Sequence, residues 1–210
     1  YNYLLSNNNT KNIGLTGGNS PKLFFNLLSS DARSKSIDWS NVFFFLVDER
    51  IVPINDQNSN FYHANNLFFK KIEIPRENLF PIDYSLLDSV KIALDYEDKI
   101  IKHFDLKSGN IPRFDILILG MGEDGHVGSI FPNETLLPLE NNLIKFTNFS
   151  NGKIERITFN YDLICNSIKN YLLVLDNHNK KSIICNKQTQ DYPIIKVVNE
   201  SNYIEILVNE

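Results

Sequence analysis

Residues 114–133 read FDILILGMGEDGHVGSIFPN, an apolar run that stops abruptly in a glycine-rich loop carrying an acid and a histidine. Ile116, Leu117, Ile118 and Leu119 are apolar without alternation, as a central strand covered on both faces requires. Strands of that kind belong to parallel sheets, and groups just past their carboxyl ends lie where open α/β sheets bind ligands. The stretch therefore predicts a buried strand over 115–119 that delivers Asp124 and His126 to a crevice.

Working outward, the same plan repeats. Residues 12–16 (NIGLT) read as a short strand followed by Gly17 and Gly18, with Ser20 and Pro21 at the N-cap and first position of a helix over 21–30. Residues 42–47 (VFFFLV) form a second all-apolar strand that ends in Asp48, Glu49 and Arg50, and a loop containing Pro53 leads to a helix over about 59–71. A brief strand is expected at 79–82. Residues 85–106 space Leu86, Val90, Ala93, Leu94, Ile100, Ile101 and Phe104 among charges as in a surface helix. Strands follow at 156–159, 171–175 and 203–208, with helices near 161–169 and 179–187. Strands alternating with helices predict an α/β fold, a doubly wound and mainly parallel sheet flanked by helices. With no repeat or linker visible, residues 1–210 read as a single domain. A chain opening on Tyr1 reads as trimmed at its N-terminus.

The formal net charge of -4 provides no global field for nucleic acid or an anionic membrane, so an anionic ligand must be held by local cations or backbone N–H groups. Cys165 and Cys185 lack metal-ligand spacing and read as reduced thiols. Asp124 and His126 have no third ligand at suitable spacing, and His63, His103 and His178 fall in segments read as helix or surface loop, so neither a metal nor a cofactor is expected. With no long apolar stretch and no signal peptide, the expected location is cytoplasmic.

Gly120, Gly122 and Gly125 also spell G-x-G-x-x-G, the dinucleotide fingerprint. That reading needs a long helix starting in the loop, and Gly128, Pro132 and Pro138 interrupt one early. His126 is the better lead, because it alone of four histidines lies in a glycine-rich loop at a strand end. In a doubly wound sheet the loops TGGNSP (16–21), DER (48–50) and GMGEDGH (120–126) converge on one cleft. The first offers helix N-terminal N–H groups to an anion, with glycines that admit close approach. Arg50 can grip phosphate bidentately, oriented by Asp48. Read singly, the loops fit equally a tight turn into a capped helix and an Asp–Arg surface pair. Together they describe a sugar-phosphate enzyme better than a nucleotide or metal enzyme.

The set TGGNSP, VDERIVP followed by NSN, DILILGMGEDGHVGSIFPN and ERITF, in that order, resembles the 6-phosphogluconolactonases of the glucosamine-6-phosphate isomerase/6-phosphogluconolactonase family. The resemblance runs from about residue 12 nearly to the C-terminus. It implies hydrolysis of 6-phosphogluconolactone to 6-phosphogluconate in the oxidative pentose phosphate pathway, without metal or cofactor. His126 then stands at the catalytic histidine and general base, and Asp124 at its loop companion. Asp48 and Arg50 stand at the DER pair, and Gly17, Gly18, Asn19 and Ser20 at the phosphate-side loop. Arg156 falls on the arginine of an Arg-(Ile/Val)-Thr strand, and Lys180 on a lysine that usually follows a glycine by three residues. Asn19 replaces a usual small hydroxyl residue, and Asn177 replaces that glycine, leaving Lys181 as an alternative cation. Gly128 and Asn133 depart from a commoner small residue and glycine, and the region before Thr16 is short. In some unicellular parasites such a domain is fused to glucose-6-phosphate dehydrogenase, so fusion or association with that enzyme is a partner expectation. A glucosamine-6-phosphate deaminase is the nearest alternative, but there a tyrosine usually stands at the Arg50 position and an Asn-Glu-Pro segment follows the histidine loop. A sugar-phosphate sensor is more remote, since neither a helix-turn-helix nor a basic face is visible.

Overall fold

The structure is a computed structural model that describes residues 2–6, 9–133, 136–138, 143–147, 154–175, 178–185 and 192–208. Its strands are β1 (Lys11–Leu15), β2 (Val42–Leu46), β3 (Asp48–Arg50), β4 (Leu79–Phe80), β5 (Ile116–Gly120), β6 (Leu136–Pro138), β7 (Ile144–Thr147), β8 (Arg156–Phe159), β9 (Lys169–Val174) and β10 (Ile204–Val208). The helices are α1 (Asn2–Leu5), α2 (Asn19–Ser30), α3 (Asn60–Leu67), α4 (Ser89–His103), α5 (Tyr161–Cys165), α6 (His178–Cys185) and α7 (Pro193–Glu200).

Six strands form a sheet in the order β10-β9-β5-β1-β2-β4, parallel at every pairing. The continuous apolar runs occupy its centre: Leu15, Phe45, Leu117 and Leu119 are almost wholly buried, as strands covered on both faces must be. Phe45 stacks on Phe80 at 4.1 Å and meets the edge of Phe114 at 5.2 Å, tying β2 to β4 and to the segment before β5. From β1 the chain steps outward to β2 and β4, then returns to place β5 on the other side of β1. The order reverses between β1 and β5, and their carboxyl ends carry the Gly17 loop and the His126 loop, so the fold opens its crevice where the sequence places its chemistry.

A second sheet, β3-β8-β7-β6, is antiparallel and was not expected from the sequence. Val47 is the crossing point, because its N–H donates to Leu15 O at 2.9 Å in the parallel sheet while its carbonyl accepts from Phe159 N at 2.7 Å in the antiparallel one. The DER segment is thus a strand rather than a loop, and it sets Arg50 opposite Arg156.

Several boundaries shift for local reasons. Gly18, at φ 96° and without a side-chain cap, precedes α2, which begins at Asn19 before the expected Ser20 and Pro21. Ser59 caps α3 by accepting from Tyr62 N, and the helix closes at Leu67, with residues 69–71 as a separate tight turn. Asp88 accepts from Lys91 N and starts α4 at Ser89, so residues 84–86 form their own turn. Helix α7 was not expected; Pro193 at its start has the pre-set φ that suits a first helical turn. Asn133 adopts φ 60°, a left-handed conformation that asparagine tolerates better than most residues, which explains how it stands in for glycine there. Cys165 is buried, Cys185 is exposed, and the two are not bridged. Among the described residues no helix is long and apolar enough to cross a membrane.

Candidate active site

The loop after β5 is held from both ends. Gly122 N donates to His126 O at 3.0 Å, and from α7 the Ile194 N–H donates to Gly125 O at 3.0 Å. Within that turn Asp124 Oδ1 lies 2.6 Å from Nδ1 of His126 and accepts the His126 N–H at 3.2 Å. A β-carbon on Gly122 would run into the imidazole and the Asp124 carboxylate, so only glycine permits the turn to fold this tightly. Burial raises the Asp124 carboxyl, but the charge and hydrogen bonds of His126 outweigh it, and the net shift is below the usual aspartate value. An ionised Asp124 accepts only, so Nδ1 carries a proton, and it is in the neutral form of the ring that Nε2 holds the lone pair.

One cleft of about 320 Å³ brings together Gly17, Gly18, Asp48, Arg50, His126, Arg156 and Lys180, with Thr16 and Gly122 beside them. Asp124 stands behind His126 rather than in the wall. Of the two lysines, Lys180 lines the cleft and Lys181 does not. Asn19 and Ser20 occupy the first turn of α2, although their side chains, like that of His178, lie outside the described set; Asn177 lies outside the described residues. Neither His63 nor His103 lines the cleft.

The expected orientation of Arg50 by Asp48 is corrected by the structure. The Arg50 guanidinium donates through Nη1 to Asn58 O at 2.7 Å and to Asn60 Oδ1 at 3.0 Å. Asp48, 4% exposed, accepts instead from Ser129 Oγ at 2.8 Å. Both side chains leave β3 on the same side, but the Asn60 amide bonds to each segment: its Nδ2 donates to Asp48 O at 2.8 Å. Glu49, pointing the other way and buried, accepts from the N–H groups of Arg50, Asn60 and Phe61 and from Ser59 Oγ, all within 2.9 Å. Burial pushes its carboxyl up to about 7 against the pull of those donors.

Three further residues complete the setting. The Phe131 ring centroid lies 4.5 Å from that of His126 and 5.2 Å from the Arg156 guanidinium, so one aromatic side chain abuts both functional groups. Ser129 and Asn60 were visible in the sequence only as members of the SIFPN and NSN segments, and nothing in their spacing marked them as supports. Among the described residues, no group of three or more His, Cys, Asp or Glu side chains is disposed to hold a metal ion. What the arrangement offers is an imidazole backed by an acid and three cations around one space, on a chain whose net charge is -4. That combination suits acid–base chemistry on an anionic substrate.

The family described as glucosamine-6-phosphate isomerases/6-phosphogluconolactonase matches residues 1–205. A 6-phosphogluconolactonase of Synechocystis sp. is 33% identical over 152 residues, covering 72% of this chain and 61% of that protein. The chain thus spans less than two thirds of that relative. A probable 6-phosphogluconolactonase of Dictyostelium discoideum is 32% identical over 210 residues, covering 94% of this chain and 84% of that protein. The crystal structure of 6-phosphogluconolactonase from Thermotoga maritima superposes with a TM-score of 0.79 at 28% identity, over 99% of this chain and 89% of that one.

Proposed function

The chain belongs to the glucosamine-6-phosphate isomerase/6-phosphogluconolactonase family, and on that premise we propose that it hydrolyses 6-phosphogluconolactone to 6-phosphogluconate, with His126 as the general base. The observation that carries the reading is the imidazole whose Nδ1 is engaged by Asp124 at 2.6 Å, on the wall of a cleft shared with Arg50, Arg156 and Lys180. Nε2 takes a proton from water as the water oxygen bonds to C1 of the lactone. N–H groups of the 120–125 loop are the candidate donors to the resulting oxyanion. When the bond from C1 to the ring oxygen breaks, the imidazolium returns the proton to that oxygen, and the product acid ionises. Acid–base participation of this kind contributes about 10²–10⁴-fold.

The phosphate is assigned to the cations. Arg50 and Arg156 pair across β3 and β8, and two like charges at neighbouring positions repel until an anion lies between them. Asp124 stabilises the imidazolium. No metal, cofactor, nucleic acid or membrane enters the proposal, and a cytoplasmic setting and association with the dehydrogenase that forms the lactone belong to it as well. The isomerase branch of the family is the competing reading. Lactonase turnover on freshly prepared 6-phosphogluconolactone, with spontaneous hydrolysis subtracted, and no ammonia release from glucosamine 6-phosphate are the expected results. Ammonia release without lactonase turnover would overturn the proposal.

A further inference from the structure

Asn60 is 2% exposed, and its amide is used at both ends. Nδ2 donates to Asp48 O at 2.8 Å and Oδ1 accepts from Arg50 Nη1 at 3.0 Å, while its own N–H donates to Glu49 Oε1 at 2.7 Å. All three residues of the DER strand are therefore bonded to one residue of α3. The same amide reaches across to the loop after β1, where a β-carbon on Gly17 would coincide with it. A primary amide is the side chain of this size that presents a donor and an acceptor at fixed separation. Aspartate would place an acceptor against the Asp48 carbonyl, and leucine would leave the carbonyl and the guanidinium without these partners.

We propose that Asn60 is a positioning residue that holds Arg50 and the Gly17 loop in register, and thereby sets the affinity of the cleft for the phosphate of its substrate. The inference rests on the lactonase reading for the identity of that substrate. Its physical basis is preorganisation. Arginine carries a large rotamer entropy, and a guanidinium already fixed by Asn60 Oδ1 and Asn58 O loses less of it when an anion arrives. Both of those bonds use Nη1, which leaves Nη2 of a guanidinium on the cleft wall as the donor for a ligand.

The test compares Asn60→Ala, Arg50→Ala and the double variant in the full chain, by lactonase kinetics and by calorimetric binding of 6-phosphogluconate and of gluconate. In Asn60→Ala, KM for the phosphorylated lactone and Kd for 6-phosphogluconate should rise about 10-fold while kcat changes less than about 3-fold. Gluconate binding and turnover of unphosphorylated gluconolactone should shift by less than about 2-fold, and the double variant should be no more than about 2-fold weaker than Arg50→Ala alone. Unchanged affinity, equal losses with and without the phosphate, or losses that multiply with those of Arg50→Ala would each overturn the inference. If Asn60→Ala does not fold, Asn60→Ser is read by the same criteria. A wild-type chain that binds 6-phosphogluconate without hydrolysing the lactone would sink the lactonase reading while leaving Asn60 testable by binding; no binding at all would overturn both.

Discussion

Oδ1 of Asp124 lies 2.6 Å from Nδ1 of His126, two residues further along a turn that only a glycine at 122 allows. The contact puts a proton on Nδ1 and, in the proposed mechanism, a negative charge beside the imidazolium. The Asp124 side chain is 53% exposed, however, so solvent screens much of that charge. Asp124→Asn should therefore lower kcat by about 10–100-fold, less than loss of the imidazole, with KM changed by less than about 3-fold. Initial rates across substrate concentration decide it. A loss confined to KM would make Asp124 a binding residue.

Arg50 gives the second prediction. Arg50→Ala should weaken kcat/KM for the phosphorylated lactone by about 1.5–3 kcal/mol, roughly 10- to 150-fold, as expected for a lost charged hydrogen bond. Unphosphorylated gluconolactone should lose far less. Equal losses on the two substrates would mean that Arg50 contacts the sugar or only supports the loop.

Glu49 provides a pH signature. A glutamate in the unfolded chain titrates near 4.5, whereas burial pushes folded Glu49 up to about 7. Between those values the folded state keeps a proton that the unfolded state has released, so this group's contribution to stability is full below about 4.5 and is lost as pH rises to about 7. His63 and His103, both lowered first by burial, act in the opposite sense and lose stability as pH falls. Subtracting the profile of Glu49→Gln isolates the glutamate. The stability of the wild type relative to that variant should fall by up to about 3 kcal/mol between pH 4.5 and 7. Urea unfolding at several pH values measures it; a flat or rising difference would show that the four donors keep Glu49 ionised in the fold.

Lactonase activity is expected to survive exhaustive chelation, because the water is assigned to His126 rather than to a metal ion. Turnover abolished by EDTA and restored by zinc or magnesium would transfer that role.

The parallel sheet was legible because its central strands are fully covered and so cannot alternate: VFFFLV and ILIL announce themselves by composition. The site was legible because glycines, Arg50 and His126 follow those strands directly. The second sheet was not, since DER is only three residues long and pairs with RITF across about a hundred residues, a contact that local periodicity does not encode. The link between Asp48 and Arg50 was misread for a related reason: it passes through Asn60, ten residues beyond Arg50, whose role depends on both ends of its amide being engaged at once. Boundaries moved where a single residue intervened, as Asp88 does by capping α4.

The central claim is that one imidazole moves the protons of lactone hydrolysis. The most direct measurement is kcat of His126→Ala beside the wild type on fresh 6-phosphogluconolactone, corrected for spontaneous hydrolysis, with circular dichroism confirming that the variant is folded. A fall in kcat of about 10²–10⁴-fold is predicted. Near-normal turnover by the folded variant would contradict it.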